Sequence, residues 1–148
     1  MLQSYEINNG TLAVIPINEN TTKILEIDNE YIVKKSSLEI IDDSCNYYGS
    51  TYKGRYEGTK KLIGMSYKLP IIIEESKNII FFPTTSPRLN DCFWISLNNI
   101  KNYIKDQDGS IIVFKNDSVI NINVSIFILE SQILRASRLS SILQSRKI

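Results

Sequence analysis

No histidine occurs anywhere in the 148 residues. That removes the commonest general base and metal ligand and makes a Ser-His-Asp or Cys-His arrangement impossible within the chain. Only two cysteines are present, Cys45 and Cys92, too few for a disulfide framework or a metal pattern. Cys45 falls on the apolar face of a helical pattern and Cys92 opens a hydrophobic strand, so both read as core thiols rather than nucleophiles. No apolar run approaches the roughly 18 residues that a membrane span needs. The start, "MLQSYEINNG", carries an acid and no basic cluster, so no signal peptide is expected. A reduced, cytoplasmic setting is the simplest reading. Neither a Walker phosphate loop nor a dinucleotide fingerprint appears. The pairs Asp42-Asp43 and Glu74-Glu75 are adjacent in sequence and point apart, as solvated surface does. Ser66-Tyr67-Lys68 offers three reactive residue types, but a three-letter match carries little weight. The expectation is therefore no catalytic residue, no metal, no cofactor and no enzyme.

What is present describes a globular chain. Hydrophobic residues make up 43% and charged residues 22%, values typical of one ordinary soluble domain, expected to span 1–148. The net charge of +1 conceals an uneven distribution. Residues 1–50 carry three bases against eight acids, a net −5, while residues 51–70 carry five against one, a net +4. Residues 111–148 hold five bases against two acids, a net +3. Two segments distant in the chain therefore have the makings of one basic face.

Period and punctuation predict an α+β domain of antiparallel strands, a central helical segment at about 36–63 and a C-terminal helix at about 125–143. "SYEI" and "TLAVIP" flank Asn8-Asn9-Gly10, a hairpin signal. "TKILEI" and "EYIVKK" form a second hairpin through Asp28-Asn29. "SSLE" is a capping box with Ser36 as N-cap and Glu39 three residues on; Leu38, Ile41 and Cys45 follow at helical spacing, and Gly49 stops the helix. A second helix is expected from Thr51 to about Ile63, although Gly54 and Gly58 each cost it roughly 1 kcal/mol relative to alanine. "IIIEE" and "IIFFP" read as strands paired across Ser76-Lys77-Asn78, "PTTSPRLND" as a loop and "CFWISL" as a buried strand, with Trp94 in the core. Ile100 to Val124 alternate as a three-stranded meander turning at Asp108-Gly109 and Asn116-Asp117. From Ser125 the period becomes helical, with Ile128, Ile133, Ala136, Leu139 and Leu143 on one face and Arg135 and Arg138 on another.

Residues 45–62, "CNYYGSTYKGRYEGTKKL", hold half of the eight tyrosines and face four bases against one acid. Lysine and arginine suit phosphate oxygens, glycine admits close backbone approach, and tyrosine lies against sugar or base. Helical spacing predicts Tyr48, Tyr52, Tyr56 and Lys60 along one ridge, with Gly54 and Gly58 as a flat patch beside it. That patch serves either contact with a polyanion or tight packing of the helix on a sheet.

The run "SCNYYGSTYKGRYEGT", then "KLPIII", "FFPTTSP" and "CFWIS", closing with the S-x6-Q-x2-RA spacing of "SIFILESQILRA", resembles the competence transcription factor family (ComK-like proteins) from about Tyr5 to Leu143. The resemblance implies a cytoplasmic transcriptional activator of DNA-uptake genes that binds paired A/T-rich promoter boxes, largely through the minor groove, as more than one protomer. Double-stranded promoter DNA, further copies of the chain, RNA polymerase and an adaptor that delivers the protein to a Clp protease are the implied partners. Two departures stand out. The sequence stops at "QSRKI", which puts regulation through a longer C-terminal tail in doubt, and "KND" at 115–117 has aspartate where glycine is expected. Arg55 and Arg88 are candidates for the minor groove, whose narrow A·T form attracts arginine. Lys53, Lys60, Lys61 and Lys68 suit phosphates, with Tyr52 positioning them; Gly49 and Ser50 could add backbone amides. Arg135 and Arg138 are candidates for DNA, for structure or for subunit contact. The competing reading is a regulatory module whose basic face meets an acidic protein, without touching DNA.

Overall fold

The strands "IIIE", "IIFFP" and "WIS" are nearly continuous apolar runs because the sheet they build is covered on both faces. A computed structural model describes residues 1–147. Six antiparallel strands, β1 (Thr11–Asn18), β2 (Thr21–Glu26), β3 (Glu30–Val33), β4 (Ile71–Glu74), β5 (Ile79–Pro83) and β6 (Trp94–Ser96), form a sheet in the order β3-β2-β1-β6-β5-β4. Successive side chains point to opposite faces of a strand. Phe81, Trp94, Ile71 and Ile73 therefore join one buried cluster with Ile40, Ile41 and Cys45 of the first helix. Their neighbours Phe82, Ile95 and Ile72 join the other, with Ala136 and Leu139 of the last helix.

The helices are α1 (Ser37–Tyr47), α2 (Tyr52–Ile63) and α3 (Ile126–Ser145). At α1 the capping box forms: the Glu39 amide donates to Ser36 Oγ at 3.2 Å and the Ser36 amide to Glu39 Oε1 at 3.1 Å. Its end is a Schellman turn, with Gly49 at φ +89°, its amide on Asn46 O at 3.0 Å and the Ser50 amide on Cys45 O at 2.9 Å. Thr51 Oγ1 caps α2 by accepting from the Gly54 amide at 2.8 Å, and Gly64 ends it at φ +69°. A second sheet, β7 (Ile100–Asp106), β8 (Gly109–Phe114) and β9 (Val119–Ile122), is the expected meander. It buries Ile112 and Phe114 against the same side of the large sheet as α3.

Three expectations need correction. "SYEI" is not a strand. Its backbone groups go to side chains beyond the proposed hairpin, with the Ile7 amide donating to Ser44 Oγ at 3.0 Å and Tyr48 Oη to Ile7 O at 3.1 Å. Instead β1 pairs with β2, a hairpin that the sequence reading overlooked. The first meander turn sits at Gln107-Asp108, with Gln107 at φ +53°. Gly109 is already in β8, where a Cβ would lie 2.8 Å from Ile122 O. On α3, Ile128 is exposed, and the buried stripe is Leu129, Gln132, Ala136, Leu139 and Leu143. The aspartate of "KND" takes the left-handed conformation itself, Asp117 at φ +69°, which Asp tolerates better than most residues, and pairs with Lys101 at 2.7 Å.

Candidate nucleic-acid interface

Three segments far apart in sequence converge on one groove. From α2 come Tyr52, Lys53 and Tyr56; the loop after α2 brings Tyr67 and Lys68; the loop between β5 and β6 brings Pro87 and Arg88. The groove has a volume of about 360 Å³ and no acidic side chain in its lining. Acids begin beyond Lys53, where Glu39 and Asp42 flank the start of α2.

The rings form its floor. Tyr52 packs edge-on against buried Trp94, with centroids 6.2 Å apart, and lies 6.1 Å from Tyr56. Burial, and then the neighbouring Tyr56, push the Tyr52 phenol up to about 12. It is therefore a neutral hydroxyl at physiological pH. Tyr56 Oη donates to Ser66 O and ties α2 to the following loop.

A buried amide joins the two loops. Gln132 on α3, 2% exposed, donates through Nε2 to Lys68 O at 2.9 Å and to Pro83 O at 2.8 Å. The backbone of Lys68 itself is left-handed, at φ +50°. Arg135 stacks over the Tyr67 ring at 5.2 Å, and its Nη1 donates to Tyr67 O at 3.1 Å. Gln132 and Tyr67 were both missed as positioning residues. The glutamine stood in the Q-x2-RA spacing, and a polar residue on an apolar helix stripe was the available signal.

Of the expected site residues, Tyr52, Lys53, Lys68 and Arg88 meet at the groove. Lys60 lies seven residues from Lys53 and so on the same flank of α2; Lys61 points outward, and both are exposed. Arg55 does not join them, because it occupies the other flank, with Gly54, Gly58 and Thr59. Arg135 engages Tyr67 from outside the groove lining, and Arg138 lies further along α3, beside Phe127, Leu134, Ile63 and Met65. Three ion pairs occur among the described residues, Lys23–Glu30, Lys35–Asp43 and Lys101–Asp117, and none uses a candidate cation. The 51–70 segment and α3 do lie side by side, joined through Tyr67 and Lys68.

Other expectations give way. The ridge is broken because Tyr48 ends α1 and bonds Ile7. The amides of Gly49 and Ser50 are used by the carbonyls of α1, so they are not available to an anion. Gly54 and Gly58 face outward rather than packing on the sheet, and a Cβ on Gly58 would meet no atom within 4 Å. Cys45 and Cys92 are buried, and burial pushes the Cys45 thiol up to about 12, the state of inert core thiols.

Among the described residues, no cluster of three metal-ligating side chains occurs, and no helix is long and apolar enough to cross a membrane. A basic, tyrosine-floored groove, its backbone held by Gln132 and Arg135, can grip a polyanion. The ComK protein family model matches residues 2–147. The competence transcription factor of Bacillus subtilis (strain 168) is 34% identical over 149 residues, covering 98% of this chain and 78% of that protein. No solved structure matches the chain. Transcription factors are not an enzyme class. The chain belongs to the ComK family, a family of competence transcription factors.

Proposed function

We propose that the chain activates competence genes by gripping A/T-rich promoter boxes through the groove between α2 and the two loops. One observation carries this reading. Lys53, Lys68 and Arg88, from three distant segments, converge on a tyrosine-walled groove whose lining contains no acid. Arg88, on an exposed loop, is the arginine proposed to enter the minor groove, where narrow A·T geometry deepens the negative potential. Lys53, Lys60, Lys61 and Lys68 meet phosphates, and Tyr52 and Tyr67 lie against sugar or base.

Paired boxes call for paired protomers, and α3 supports a second copy as the partner. Its outer face exposes Phe127 at 78% and Leu134 at 65%, more than its packing alone requires. Glu130 stands four residues before Leu134 and Arg138 four after it, both beside the same cavity. In an antiparallel α3 pair with its two-fold axis at Leu134, Glu130 faces the partner's Arg138 twice over. Promoter DNA and a second copy are thus the partners that the surface favours; RNA polymerase and a Clp protease adaptor follow from the family alone.

The test is a mobility-shift titration on A/T-box and G/C-rich duplexes across salt concentrations. If four to eight phosphates are neutralised, log affinity falls against log salt with a slope of roughly −4 to −7. Arg88→Ala should lower A/T-box preference more than nonspecific affinity. Equal losses would make it a phosphate contact. No shift on either duplex would sink the reading in favour of an acidic protein partner.

A further inference from the structure

The flank of α2 turned away from the groove has its own cavity, about 380 Å³, between α2, β4 and the end of α3. Among the described residues its cations are Arg55, Arg146 and Lys147, and Glu75 is the one acid in its lining. Lys147 Nζ donates to the Glu75 carbonyl at 3.4 Å. Two polar atoms here are buried without a partner, Arg55 Nε and Thr59 Oγ1, and Thr59 is fully buried. Buried polar groups are normally satisfied, so two orphans in one place mark this wall as incomplete as it stands.

The glycines add an independent reason. Both glycines of α2 line this cavity. Gly54 sits in the first turn, where a Cβ would meet the capping Thr51 Oγ1 at 3.0 Å, but Gly58 lies mid-helix, where it costs roughly 1 kcal/mol relative to alanine. Neither has positive φ, and a side chain on Gly58 would enter open space. Nothing within the chain requires glycine at 58. A ligand seated against that bare stretch of α2 does. The floor is apolar, from Leu62, Ile72 and Leu143, so the occupant has an uncharged body as well as an anionic head. The volume lies in the small-molecule range.

We infer that this cavity binds a phosphorylated small molecule of nucleoside monophosphate size, its phosphate held by the guanidinium of Arg55 and the cations at the end of α3. The site is separate from the DNA groove and does not depend on it, because Arg55 and Lys53 leave α2 on opposite flanks.

Thermal unfolding of the intact chain, followed by Trp94 fluorescence at fixed ionic strength, tests this with inorganic phosphate, adenosine monophosphate and a chloride control. At tenfold excess over Kd, bound ligand should raise Tm by about 3–6 °C. A response to both phosphate and the nucleotide supports an anion site, and a stronger response to the nucleotide shows that the apolar floor takes part. Gly58→Leu fills the cavity with a good helix former, and Arg55→Met removes the charge while keeping the stem. Both should abolish the shift, and Gly58→Leu should leave A/T-box affinity within twofold. Three results would overturn the proposal. One is no shift beyond chloride for the unaltered chain. Another is a full shift retained by Gly58→Leu. The third is Gly58→Leu weakening duplex binding while neither phosphate compound stabilises the protein, which would give the cavity to a DNA phosphate. Lys53→Ala separates the groove's failure from this one, since it should weaken duplex binding and leave the phosphate shift intact.

Discussion

Gln132 supports two chain segments with one side chain. Replacing it with methionine keeps most of its volume but leaves the carbonyls of Lys68 and Pro83 without their donor. Each carbonyl so stranded costs about 1–3 kcal/mol. Gln132→Met should therefore lower the urea midpoint and, by loosening both loops, weaken A/T-box binding more than Lys61→Ala does. Equal effects on binding would show that the loops hold their places without it. A second residue-scale expectation concerns pH. Burial raises the Cys45 thiol from 9.0 to about 12 and the Tyr52 phenol from 10.0 to about 12. Below about pH 9 both are protonated in the folded and unfolded chains, so what their neutral burial contributes is fully present. Between pH 9 and 12 the unfolded chain ionises while the folded one holds its protons, so stability falls as pH rises. With no histidine in the chain, no side chain at its ordinary pKa titrates between pH 6 and 8. Denaturation midpoints should be level from pH 6 to 8 and fall above 9; a strong slope near neutrality would contradict this.

At the level of elements, local grammar was readable and distant pairing was not. The Ser36 capping box, the Gly49 stop and the Thr51 start each depend on residues within four positions, and all three stand where the pattern put them. The β2–β3 and β4–β5 hairpins follow likewise from adjacent runs. "SYEI" misled because its alternation suits a strand, whereas Ser44 and Tyr48, about forty positions on, take up its backbone. The same limit applied to the groove. Sequence supplied its charges, and the helical period sets Arg55 about 200° around α2 from Lys53; which of those flanks borders the groove is decided by how α2 docks. Loading one flank makes a quantitative forecast. Replacing Lys60 and Lys61 together with alanine should flatten the salt slope by up to about 2. Double replacement of Lys53 and Lys68 should flatten it as much and lower affinity further, since both line the groove. An unchanged slope in either case removes that pair from the interface.

For the whole molecule, the α3 pairing proposed above is open to a charge-reversal test. Glu130→Arg and Arg138→Glu should each yield monomers in sedimentation experiments, because each places like charges across the two-fold axis twice. Mixed in equal amounts, the two variants should recover a heterodimer, since every facing pair is then opposite in sign. Failure to recover on mixing would count against the antiparallel arrangement, whatever the single variants do. The molecule also carries its own means of observation. Trp94 is the single tryptophan and is almost wholly buried, yet it touches Tyr52, whose other side borders the groove. The indole is thus one ring removed from whatever occupies that groove, so native emission should change when duplex arrives, with no dye attached, and Tyr52→Leu should silence the signal.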